Sequence, residues 1–242
     1  MIILLSFQFK KYFHNKNMMF QFFVFPSLLI LLISYLLISY FDSYSLAVYH
    51  YFFPVMLFMY LGYGVNAAFS LLDINNIKGN KRLFYLPVKQ EWVVISHVFS
   101  QTLFGSITLA VNYLIFYFVL IQHCSNLLGS YFIIVEMIFL SNMIGIFLTL
   151  FSKNIIHIEE IFTLFQIIFT VSGGVFFRLD YYSNIPSIII MCSPLKWISD
   201  AIYSYIESGS ADSLIKVGCG QLVISILLYL IIHKKFNAYE FC

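Results

Sequence analysis

Glu136 is the one acidic residue that falls well inside an apolar stretch of this 242-residue chain. An ionised carboxylate in hydrocarbon costs several kcal/mol unless it is paired or wetted, so its place suggests a transport path or a contact between subunits. The competing reading sets it among the outer headgroups, since it stands only about five residues into the fourth apolar stretch. A second acidic cluster, His157-Ile158-Glu159-Glu160, offers paired carboxylates at the start of the fifth stretch. To activate a water they would need a base and partners within hydrogen-bond reach. No later stretch supplies them, and acidic residues near a helix N-terminus are favoured by the macrodipole in any case. The four cysteines show no metal-ligand spacing. With no G-x-x-x-x-G-K-[ST] phosphate loop, the chain is expected neither to hydrolyse ATP alone nor to bind a cofactor directly.

The elements that position these groups follow from composition. Hydrophobic residues make up 61% of the chain and charged residues 10%, where soluble domains carry about 45–50% and roughly 25%. A net charge of +2 offers no basic field for nucleic acid. Soluble enzymes, disordered chains and nucleic-acid binders are thereby excluded. What remains is an all-α integral membrane protein, with residues 1–242 forming one transmembrane domain. A spanning helix takes about 20 apolar residues, which predicts six spans at roughly 21–41, 51–72, 96–121, 131–151, 158–177 and 217–233. With 28 Phe and 18 Tyr, aromatics exceed what interfacial belts need. Many are therefore expected inside the bilayer, facing lipid or a pathway.

Orientation follows from the cations. Lys10, Lys11, Lys16, Lys78, Lys81, Arg82, Lys89, Lys153, Lys234 and Lys235 fall on one side of this layout, and Arg178, Lys196 and Lys216 on the other. The positive-inside rule then puts both termini in the cytoplasm. Cys124 and Cys192 share the outer side, where a disulfide is permitted, although free buried thiols are more usual. Near the N-terminus, Ser6, Lys10, His14 and Asn17 share one helical stripe, and Ile2, Leu5, Phe9, Tyr12 and Phe13 the opposite one. That pattern predicts an amphipathic helix over 1–17 lying in the cytoplasmic interface. No internal repeat is evident, which weakens the reading of an inverted-repeat carrier.

Two connections are long. The inner one, 73–93, mixes cations with Phe84, Tyr85, Leu86 and Trp92 and is punctuated by Pro87. A short helix ending near Pro87 would present Lys81, Arg82, Phe84 and Tyr85 to the membrane surface or to another protein, and the chemistry alone leaves the two equal. The outer one follows Ser172-Gly173-Gly174 and carries Pro186, the apolar run 187–192, then Pro194, Trp197 and Asp200. That run is too short to span and predicts a re-entrant or interfacial segment.

At this point the sequence resembles a family. The stretch SGGVFFRLDYYSNIPSIIIMCSPLKWISDAIY, residues 172–203, and the loop KGNKRLFYLPVKQEW are similar to the corresponding regions of ABC-2 type transporter permeases, as is the six-span layout. One departure is that Ile77 and Lys78 precede Gly79, where the family often has a Glu. The resemblance implies a bacterial cell-membrane permease that works as a dimer with a second permease subunit. A separate ATPase subunit would hold ATP and Mg. Docking on that ATPase then falls to the inner loop, with Lys78, Lys81, Arg82, Phe84, Tyr85, Leu86 and Pro87 as the coupling contact. A gate or re-entrant region falls to Ser172, Gly173, Gly174, Pro186, Pro194, Trp197 and Asp200. Few charges in the spans favour a hydrophobic peptide or drug as cargo. An ATPase-independent carrier or channel-like protein is the alternative. A CAAX-type intramembrane protease is a further one; its EExxxR signature fails here, because Leu164 stands where Arg is needed.

Overall fold

The computed structural model describes residues 2–72, 90–124, 126–176 and 190–235. Every regular element among them is helical. α1 is Ile2–His14, and α2 is Lys16–Leu36 with a π turn at Phe20–Val24. α3 (Tyr44–Leu61) and α4 (Gly64–Leu72) form one interrupted rod. α5 (Gln90–Ile115) is followed by the short α6 (Tyr117–His123). α7 is Leu128–Thr149, α8 Ile155–Ser172, α9 Pro194–Ser208 and α10 Asp212–Lys235.

Among the described residues, six segments are long and apolar enough to cross a membrane: Lys16–Leu36, Tyr44–Leu72, Val94–Ile115, Leu128–Thr149, Ile155–Ser172 and Asp212–Lys235. This is the architecture of a multi-pass membrane protein. The first span lies N-terminal to the expected 21–41. It ends at Leu36 because the chain tightens into a 3-10 turn at Ile38–Tyr40, after which Ser43 caps α3 by accepting from the Leu46 N–H at 3.3 Å. Successive spans run up and down, so that α1, the start of α2, the end of α4 and the start of α5 share one end of the bundle. α9 lies at the other.

The second, third and fourth spans are more than half buried, and the first, fifth and sixth mostly exposed. At the centre α4 meets α7 backbone to backbone. A Cβ built on Gly64 would lie 2.1 Å from the Ser141 carbonyl oxygen, and one on Gly145 would lie 1.9 Å from the Gly64 carbonyl oxygen. Small residues at such a crossing let two membrane helices gain dispersion energy over a long contact. Around it pack Phe22, Phe52, Phe53, Tyr60, Tyr63 and Phe104, all fully buried. Phe22 and Tyr63 have ring centroids 4.4 Å apart, and Phe52 meets Tyr113 edge-on at 5.0 Å. Much of the aromatic surplus is thus consumed in packing between spans.

Three backbone interruptions lie inside spans, and each is answered by a polar side chain from a neighbour. Pro26 has no N–H to give the Phe22 carbonyl four residues earlier; Asn112 of α5 supplies one through Nδ2 at 2.9 Å. Pro54 deprives the His50 carbonyl in the same way, and the Tyr203 hydroxyl of α9 donates to it at 3.4 Å. Between α3 and α4 the chain turns at Gly62-Tyr63. There Gln166 of α8 donates to the Phe58 carbonyl at 2.6 Å. Ser141 of α7 donates to the Leu61 carbonyl while accepting from the Gly64 N–H at 2.9 Å. Broken helices survive in hydrocarbon only with such replacements.

α1 packs along the first turns of α5. The Ser100 hydroxyl donates to the Leu5 carbonyl at 3.1 Å, and Phe13 meets Phe104 edge-on at 5.1 Å. The expected polar stripe of Ser6, Lys10, His14 and Asn17 is exposed, while Gln8 and Tyr12 are buried.

Candidate functional site

The coupling residues expected at Lys78, Lys81, Arg82, Phe84, Tyr85, Leu86 and Pro87 lie outside the described residues, as does Pro186. What the structure does place is their framing. α4 leads into that segment and α5 leads out of it, and both are joined to α1 through His97. The Ser70 hydroxyl donates to the Ala67 carbonyl at 2.8 Å, so it accepts from Nδ1–H of His97 at 3.2 Å. The free Nε2 then accepts from the Gln8 amide at 3.2 Å. One neutral imidazole so ties three helices together, at full burial. Beside it, Lys11, Asn15, Gln21 and Asn66 line a polar cavity of about 270 Å³.

His97 begins a stripe that sequence reasoning missed. His97, Gln101, Thr108 and Asn112 all lie on one face of α5, and all are fully buried. Thr108 accepts from the Tyr60 hydroxyl at 3.0 Å, and Ser27 donates to Asn112 at 2.7 Å. Gln101 finds no partner among the described residues. The signal was present as four polar residues at helical spacing. It was easily overlooked because none carries a charge.

At the opposite end the expected gate residues are partly gathered. Ser172 ends α8, Gly173 caps it, and Gly174 takes the left-handed conformation at φ 61° that a side chain would strain. The Ser193 hydroxyl donates to the Phe169 carbonyl at 2.6 Å, tying α9 to the end of α8. It sits where a Cβ on Gly173 would come within 2.6 Å of its oxygen. Pro194 opens α9, whose buried positions Leu195, Ile198, Ser199, Ile202 and Ile206 mark one face. Gly173, Gly174 and Asp200 line a cavity of about 370 Å³ with Tyr49, Lys196 and Glu207. Lys196 pairs with Asp200 at 3.3 Å. Trp197 points away and is exposed.

Glu136 stands apart from both regions, in a groove between α7 and α10. A neighbouring cavity of about 530 Å³ lies between α5 and α7 and is lined by Tyr113, Tyr117, Tyr131 and Tyr205. Glu159 and Glu160 are exposed in the second turn of α8, past the part of the helix where the macrodipole acts most strongly. Cys124 is buried and Cys192 exposed, and both are free thiols. Burial pushes the Cys124 thiol up to about 11.

No family model matches the chain, and no curated protein matches it either.

Proposed function

We propose that this chain is the membrane subunit of an ATP-driven exporter of the ABC-2 type. It works with a second permease subunit and a separate ATPase that holds ATP and Mg, in a bacterial cell membrane with both termini in the cytoplasm. The observation that supports the reading most is the framing of segment 73–89. The helices on either side of it run into the most buried part of the bundle, and His97 locks both to α1. A push on that segment by a closing ATPase is therefore delivered to packed helices rather than absorbed in a loop.

In this reading α1 rests at the cytoplasmic interface, and its bond network transmits the same movement. α9 and the Gly173-Gly174 end of α8 form the outer gate. The exposed apolar faces of α2, α8 and α10, with Leu32, Tyr35, Leu164, Val171 and Ile226 among their residues, meet lipid and the second permease. The cargo is a hydrophobic peptide or drug-like molecule.

Charge reversal at Lys81 and Arg82 tests the coupling contact. Lys81→Glu with Arg82→Glu is expected to cut co-purification of the ATPase at least tenfold, with the permease still reaching the membrane at its usual level. Unchanged co-purification would contradict it.

A carrier that needs no ATPase is the second reading, favoured by one observation, the carboxylate of Glu136 within a span.

A further inference from the structure

Glu136 lies eight residues past the start of α7 at Leu128, about 12 Å along the helix axis. Among the described residues it has neither a cationic partner nor a hydrogen-bond donor. Lys216 is on the facing helix α10, but it is exposed and makes no ion pair with it. The carboxylate is half-buried in a groove of about 320 Å³ whose remaining walls are almost wholly apolar, with Phe132, Ile133, Tyr205 and Leu222 among them. Gly218 of α10 keeps the groove open. A Cβ at that position would lie 2.6 Å from Oε2 of Glu136.

An unpaired anion under apolar and aromatic walls selects its ligand by chemistry. Calcium or magnesium needs six or more oxygen ligands and zinc four nitrogen, oxygen or sulfur ligands, whereas the described walls of this groove offer one carboxylate and one thiol, Cys219. An organic cation with an apolar body matches every wall: its charge meets the carboxylate, its body replaces lipid against Leu222 and Ile133, and the rings of Phe132 and Tyr205 add cation–π attraction.

We propose that the α7–α10 groove binds lipophilic organic cations, with Glu136 as counter-charge and Gly218 as the residue that leaves room for them. On the export reading, which this extends, such cations are the cargo class.

The test uses the full chain in lipid nanodiscs with two probes of the same shape and opposite charge, tetraphenylphosphonium and tetraphenylborate. Tetraphenylphosphonium is expected to bind saturably, and Glu136→Gln to weaken it at least tenfold. Gly218→Leu, which fills the groove, should do the same. Tetraphenylborate should bind wild type no more tightly than Glu136→Gln. Equal affinity of the phosphonium for wild type and Glu136→Gln would overturn the proposal. So would equal affinity of the two probes for wild type. If the variants do not fold, protection of Glu136 in the wild type from a hydrophobic carbodiimide supplies the same decision: protection by the phosphonium supports the site, and its lack overturns it. Binding that depends on Glu136 without ATP-driven efflux of the cation keeps the site and overturns the export reading.

Discussion

Gly145→Ala is expected to destabilise the protein by about 3 kcal/mol, lowering its thermal midpoint in detergent by roughly 10 °C. The added methyl would come within 1.9 Å of the Gly64 carbonyl oxygen, and Gly64 is itself pressed against the Ser141 carbonyl. Neither obstacle is a side chain that can swing aside. Two helix backbones would have to separate, and with them the Ser141 bridge to Leu61 and Gly64 that closes the break between α3 and α4. An alanine scan by thermal melting of α7 checks this, with Gly129 as a useful contrast. Its Cβ would meet the Tyr205 ring and the Leu214 side chain, at 2.6 and 2.7 Å, and both of these can move. Gly129→Ala should therefore cost much less.

The second large effect is expected at Asn112. Asn112→Leu leaves the Phe22 carbonyl without a donor and the Ser27 hydroxyl without its acceptor, both inside the bilayer span. Each orphaned buried group costs about 1–3 kcal/mol, so for the two a loss of about 2–6 kcal/mol is expected. Ser27→Ala removes only the hydroxyl and should cost under about 1 kcal/mol, in line with the modest worth of single hydrogen bonds between membrane helices. Pro26→Ala separates the causes. It restores an N–H four residues after Phe22, and so should recover part of the stability lost in Asn112→Leu. Melting curves of the three single variants and the Pro26→Ala, Asn112→Leu double variant measure the coupling directly.

The contrast between Asn112 and Glu136 shows what the sequence discloses. Spans are legible because about 20 apolar residues in a row have few other uses, and Glu136 stands out because a charge interrupts them. The Ser-Gly-Gly end of α8 is legible too, since paired glycines in a helix mark a break or a close approach. Asn112 is not legible in the same way. Its role depends on Pro26, which is far away in sequence, and only the packing of α2 on α5 brings the missing donor and the spare one together. The Gly64–Gly145 contact is hidden for the same reason: a glycine in a span looks alike whether it faces lipid or another backbone. Aromatics misdirect in the other direction. Their number invites a path lined with rings, yet Phe52, Phe53, Tyr60 and Tyr63 fill the space between helices.

ATP-driven transport in proteoliposomes tests the central claim most directly. Vesicles holding this chain alone, the proposed ATPase alone, or both together, with the ATPase face outward, are given external ATP and Mg, and uptake of a labelled hydrophobic cation is followed. Uptake is expected only where both proteins are present, and is expected to stop when ATP is replaced by a non-hydrolysable analogue. Uptake by the chain alone, driven by a proton gradient without ATP, would contradict the account and establish a carrier in its place.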